Sequence, residues 1–181
     1  MDKFISILRG INVSGQKSIK MTDLKTLYES KGAQNVTTYI QSGNVIFNHT
    51  LKDPDQIKNQ IEQAIETQYN FSVHVDVRNA LEFCKVLEEL PFKEFDPEQD
   101  GTKILITFLD QNPDKALKEK LLDYVKEPEK LIFGNRAIYL HCPNGYGKTK
   151  LSNLFIENKL KTKATTRNLK SVMKLVELSR L

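Results

Sequence analysis

Two β-branched and aromatic runs, Val36–Ile40 and Asn44–Phe47, meet at Gln41-Ser42-Gly43. A glycine-bearing turn between such runs is a hairpin signal. What flanks the hairpin constrains the fold. Upstream, Phe4–Leu8 reads as a strand, and Leu24, Leu27 and Tyr28 recur at helical spacing before a C-capping Gly32. Downstream, Asp53-Pro54 supplies an N-cap and a first-turn proline for a helix carrying Ile57, Ile61, Ala64 and Ile65. Val73, Val75 and Val77 then alternate with His74 and Asp76, which predicts a half-buried strand. The order β-α-β-β-α-β is the ferredoxin-like split βαβ. A hairpin at its centre excludes an all-parallel nucleotide-binding sheet.

The second half repeats the pattern with less clarity. Asn79 is expected to cap a helix through Leu90, with Leu81, Cys84 and Leu87 on one apolar stripe. An acidic, proline-bearing stretch, Pro91–Gly101, reads as a surface loop. A strand at Lys103–Leu109 follows, then a cap-plus-proline at Asn112-Pro113, then a helix with Leu117, Leu121, Tyr124 and Val125. Leu131–Phe133 and Ala137–His141 flank Gly134-Asn135, a second hairpin. Helices are expected at Gly147–Lys159 and Arg167–Leu178. The reading is therefore α+β: a ferredoxin-like βαββαβ first half, then a βαββα half with an extra C-terminal helix. It divides into 1–78, a connecting helix and acidic loop at 79–101, and 102–181 with basic C-terminal helices.

Composition excludes several classes. At 181 residues a core can form without disulfides, and no apolar run approaches the ~20 residues of a membrane span. Cys84 and Cys142 lack zinc-site spacing, and the cytoplasm is the expected compartment. No cofactor and no metal are implied. Positions 144–181 carry nine Lys/Arg against two Glu, while the rest carries 18 basic and 21 acidic residues. Two readings of this basic third stay open: a footprint for an anionic partner, or the solvated faces of amphipathic helices. Nucleic acid is the less favoured partner, because Phe4–Leu8 and Ile104–Leu109 are apolar on both faces. Such strands are covered on both sides, by the other half or by a second subunit, rather than open for base stacking.

Two segments approach a phosphate loop. Gly10 to Ser18 has glycines at the right separation, but Gln16 intrudes before Lys17. Gly147-Lys148-Thr149 has the right ending, but Cys142 stands where the first glycine belongs. Neither supports nucleotide hydrolysis. Lys148 and Lys150 do fall where a helix N-terminus is expected, and such an end attracts anions. The alternative is that Asn144 and the glycines only form a turn. His49, His74 and His141 are scattered, and no catalytic set can be assembled from them.

Leu8-Arg9-Gly10-Ile11-Asn12-Val13, Lys20-Met21 and Thr38-Tyr39-Ile40-Gln41-Ser42-Gly43-Asn44-Val45 resemble the N-terminal signature of a bacterial family. That family is catalogued as domain of unknown function 1697. Pro143-Asn144-Gly145 with Lys148 and Lys150-Leu151, and Thr165-Thr166-Arg167-Asn168, extend the likeness. Ser14 stands where the family usually has glycine, and Leu169 where it often has an aromatic. The resemblance implies an α+β fold and no established activity. It also marks Arg9, Asn12, Ser42, Asn44, Lys148, Lys150, Arg167 and Asn168 as candidate ligand-binding residues. The expectation is that they converge on one positive pocket; the alternative is that the Asn and Ser side chains satisfy backbone groups in turns. The leading reading is a binding module for a small anionic or phosphate-bearing ligand. An enzyme acting on such a ligand, and an accessory domain using the basic helices, are the alternatives. Self-association is compatible with each.

Overall fold

The computed structural model describes residues 1–180. The chain divides into two compact units: Met1–Cys84 with Leu175–Leu181, and Lys85–Lys174.

The first unit follows β1 (Asp2–Leu8), α1 (Met21–Ser30), β2 (Gln34–Tyr39), β3 (Asn44–His49), α2 (Pro54–Tyr69) and β4 (Val75–Asn79). Its antiparallel sheet has the order β2-β3-β1-β4, the ferredoxin-like arrangement. Local signals set the boundaries. Asp53 accepts from the Asp55 N–H at 3.0 Å with Pro54 in the first turn, and Gly32 ends α1 with φ +91°. Leu24, Leu27, Ile57, Ile61 and Ile65 bury against Phe4, Val45, Phe47 and Val75 on one sheet face. Phe47 anchors this core, with Tyr28 edge-on at 5.2 Å and Phe4 stacked at 5.8 Å. Burial pushes the Tyr28 hydroxyl far above its ordinary pKa, and Ser6 hydrogen-bonds it at 2.7 Å. The opposite sheet face is buried too, through Ile5, Ile7 and Ile46.

That second face corrects one expectation. Strand β4 is not half-buried: Asp76 and Arg78, which alternate with Val75 and Val77, are also buried. The following helix α3 (Ala80–Glu88) buries Ala80, Phe83 and Val86, not the stripe expected. Leu81 is 80% exposed and Cys84 is only partly buried.

The second unit contains α4 (Pro97–Asp100), β5 (Ile104–Leu109), α5 (Lys115–Leu122), β6 (Lys130–Gly134), β7 (Ala137–His141), α6 (Asn153–Leu160) and β8 (Ala164–Asn168). Helix α7 (Leu169–Ser179) follows. The sheet order is β6-β7-β5-β8, all antiparallel. The expected βαββα order is thus completed to a second βαββαβ by β8. Its Thr165-Thr166-Arg167 sequence hides a strand among polar residues, although threonine is a good strand former. Three boundaries also move. Helix α6 starts at Asn153 because Ser152 caps it, accepting from the Phe155 N–H at 3.3 Å. Helix α7 starts at Leu169, leaving Arg167 in the strand. Helix α5 starts at Lys115 rather than at Asn112-Pro113. Asn112 is drawn instead to the β6–β7 hairpin, where it accepts from the Arg136 N–H at 2.7 Å and donates to Asn135 at 2.8 Å.

The first and fourth strands of the two units correspond position by position. Ile5 pairs with Arg78 across β1–β4, as Ile106 pairs with Arg167 across β5–β8. Each arginine is followed by an asparagine that caps the next helix. Asn79 accepts from the Leu81 N–H and Asn168 from the Ser171 N–H, both at 2.9 Å. Among the described residues, no helix is long and apolar enough to cross a membrane.

Candidate functional site

In the first unit, the antiparallel pairing of Ile7 with Asn44 puts the end of β1 beside the hairpin turn. The Leu8 N–H donates to the Gly43 carbonyl at 2.8 Å, and the Arg9 N–H to the His74 carbonyl at 2.9 Å. Loop 9–20, the hairpin tip and the α2–β4 turn therefore share one end of the sheet. Asn12 holds two of them together. It sits at φ +55°, and its amide donates to the carbonyls of Ile19 (2.9 Å) and Gln41 (2.8 Å). Its Oδ1 accepts from the Ile19 N–H at 2.8 Å. Gly43, at φ +76°, has no room for a side chain: a Cβ would stand 2.6 Å from Ile11 Cδ1 and 2.8 Å from Leu8 Cβ. Asn44 is buried and donates to the Tyr39 carbonyl at 3.0 Å and Ser42 Oγ at 2.9 Å.

Arg9, Asn12, Ser42 and Asn44 are thus gathered at one end of the unit. The amides of Asn12 and Asn44 serve the turns themselves, the alternative that the sequence left open.

In the second unit, the connection from β7 to α6 carries Lys148 and Lys150. Neither begins a helix of any length, contrary to expectation. Gly145 (φ +93°) precedes a single 3-10 turn at Tyr146–Lys148, and Thr149 Oγ1 accepts from the Leu151 N–H at 3.1 Å. Both lysines are exposed and line a cavity of about 270 Å³ with Tyr124, Lys126, Glu127, Glu129 and Asn144. None of its three ammonium groups or two carboxylates is ion-paired among the described residues. The Tyr124 wall is fixed, packed edge-on against Phe155 at 5.0 Å and accepting from Lys159 Nζ at 2.8 Å. Arg167 and Asn168 do not line this cavity. Arg167 lies on β8 with its Nη1 donating to the Thr166 carbonyl at 3.0 Å, and Asn168 is spent as the α7 cap.

Other features carry no sequence motif. Arg78, fully buried, pairs bidentately with Asp76 (Nε–Oδ1 2.9 Å, Nη2–Oδ2 3.2 Å) and approaches Glu82 at 3.3 Å. The recurrence of Arg-Asn at 78–79 and 167–168 was the signal available for it. A groove of about 620 Å³ between α1 and α2 is lined by Gln60, Gln63, Thr67 and Gln68. A recess of about 440 Å³ is walled by Phe92 and Phe95. Burial pushes the Cys142 thiol up to about 11, which suits packing rather than nucleophilic chemistry. Among the described residues, no group of three or more His, Cys, Asp or Glu side chains is placed to hold a metal ion.

A family model described as a protein of unknown function, DUF1697, matches residues 1–139. A solved structure of a conserved bacterial protein from Streptococcus pneumoniae is similar over 98% of both chains, with 22% identity and a TM-score of 0.76. No curated protein matches. The structural likeness shows a shared fold.

Proposed function

The chain belongs to the DUF1697 family of proteins of unknown function, and we propose that it is a binding module for a small anionic or phosphate-bearing ligand. One observation carries this reading. The β7–α6 connection spans Cys142–Ser152, eleven residues, whereas its equivalent between β3 and α2 spans Thr50–Asp53, four residues. Four residues suffice to join these elements, so the fold does not demand the extra length. Longer loops on a rigid scaffold are where binding groups concentrate. The addition brings Lys148 and Lys150 to a cavity that already holds Lys126.

Three ammonium groups against two carboxylates leave a single net positive charge, which selects an anion. Asn144 adds a neutral donor. The volume, about 270 Å³, lies just below the ~300–1,000 Å³ of drug-sized sites and suits phosphate or a small phosphoester.

Isothermal titration with inorganic phosphate, pyrophosphate and a small phosphomonoester tests the proposal. Saturable binding to at least one is expected, weakened about tenfold or more by Lys148→Ala or Lys150→Ala, and weakened by salt. Parallel Arg9→Ala and Arg167→Ala variants report on the remaining candidates. Absence of saturable binding to all three anions refutes the reading. Release of phosphate from the phosphomonoester, lost in Lys148→Ala, would identify an enzyme instead.

A further inference from the structure

The recess of about 440 Å³ in the second unit combines groups that the anion cavity lacks. Its floor is a row across three strands: Lys130 pairs with His141, and His141 with Ile104. Directly opposed residues share a sheet face, so this row lies opposite the Leu105, Leu131 and Leu140 core. Its wall is the segment from Pro91 to Phe95, from which Phe92 sets its ring 5.7 Å from that of His141.

The turn that follows the wall is held by polar contacts. Asp96 accepts from the Glu98 N–H at 2.8 Å, Glu98 pairs with Lys170 at 2.8 Å, and Asp100 pairs with Lys103 at 3.2 Å. Yet Phe92 and Phe95 remain only partly buried. Two partly exposed aromatic rings lining one recess, in a segment this acidic, call for a reason.

The charges supply part of it. Asp100 is neutralised by Lys103. Lys93, Lys130 and Glu94 make no ion pair among the described residues, so one positive charge is uncompensated at the rim. Flat rings beside ammonium groups and a carboxylate match a ligand with a planar ring, an anionic group and hydroxyls. Base–aromatic stacking tolerates any base, because each has a π-face.

We propose that this recess binds a nucleoside monophosphate. The base stacks on Phe95 and Phe92, Lys93 and Lys130 hold the phosphate, and Glu94 accepts from sugar hydroxyls. No phosphate loop is invoked, because lysine ammonium groups bind phosphate as point charges. The site is separate from the Lys148 cavity, and either proposal can fail without the other.

Isothermal titration of the full chain with AMP, GMP, CMP and UMP, beside adenosine and inorganic phosphate, tests it. At least one nucleotide should bind tenfold or more tightly than either adenosine or phosphate. Phe95→Leu should weaken it about tenfold, the size of one lost stack. Lys93→Ala and Lys130→Ala, surface changes that leave the fold intact, should each weaken it severalfold. Binding by none of the four nucleotides overturns the assignment, as does phosphate alone matching them. So does affinity that survives Lys130→Ala but is lost in Lys148→Ala. A single-stranded RNA hexamer binding tenfold tighter than every mononucleotide also overturns it, in favour of a polymer.

Discussion

Arg78 is the largest fully buried side chain among the described residues, and neutralising its partner gives a stringent test of the structure. Asp76→Asn preserves shape and one acceptor oxygen but removes the charge opposite the guanidinium. Side-chain exposure is 0% for Arg78 and 3% for Asp76, so water cannot replace the lost carboxylate. Breaking a buried pair by removing one partner costs about 3–5 kcal/mol, because the survivor is left as an uncompensated charge. Glu82, 3.3 Å from Nη1 and about a third exposed, offsets part of this. The expected loss is therefore near the lower bound, about 3 kcal/mol. For a chain of this length that corresponds to a fall in Tm of roughly 6–12 °C. Arg78→Met should cost at least as much, because it strands the Asp76 carboxylate. The double variant Asp76→Leu/Arg78→Met should be close to wild type, since apolar replacements of a whole buried pair are commonly neutral or stabilising. Urea unfolding followed by circular dichroism compares the two single variants and the double variant with wild type. A loss under about 1 kcal/mol in both single variants, the range of exposed pairs, would refute the claim that this pair is desolvated.

Two further perturbations follow from the first unit. Asn12→Ala removes three hydrogen bonds and puts alanine at φ +55°, so it should cost roughly 2–4 kcal/mol. Asn12→Gly should cost less in urea unfolding, because glycine accepts that backbone conformation, and equal losses would argue against backbone strain. Glu62 is half-buried, which raises its carboxyl, but hydrogen bonds from His74 and the Val75 N–H with nearby positive charge bring it below its ordinary value of 4.5. A depressed folded-state pKa contributes stability above the ordinary value and loses it as pH falls further. Urea midpoints should therefore drop less between pH 6 and pH 3 in Glu62→Gln than in wild type, and identical slopes would refute the assignment.

The first unit was legible because its punctuation is strong. Asp53-Pro54, Gly32, Asn79 and the Gly43 turn each act locally, whatever the rest of the chain does. The second unit was read less completely where tertiary pairing overrides local signals. Thr165-Thr166 looks like loop, and Arg167 like the start of a helix, until β5 supplies their partner. Asn112-Pro113 looks like a helix cap until Asn112 meets Arg136. Buried charge misleads in the same way: the alternation around Asp76 is a correct strand signal, but it cannot say that the polar face is also covered. The candidate site was harder still. A polar residue in a loop reads the same whether its hydrogen bonds go to a ligand or to its own turn, and only the fold shows Asn12, Asn44 and Asn168 bonding within their own turns and caps.

Comparison of equivalent positions in the two units separates these cases on physical grounds. Asn12 and Asn112 both hold the loop after the first strand to the neighbouring hairpin. Asn79 and Asn168 both cap the helix after the fourth strand. A polar group that serves the same turn in both units, with little shared sequence around it and different hydrogen bonds, answers a need of the architecture, because each βαββαβ unit must close the same turns. Lys148 and Lys150 fail that criterion: they lie in a connection whose counterpart is shorter by more than half. Phe92 and Phe95 fail it as well, being in the segment between α3 and β5, outside either βαββαβ repeat. Residues outside what both repeats use are the ones that the two proposals assign to ligands: the lysines of one cavity and the aromatic wall of another.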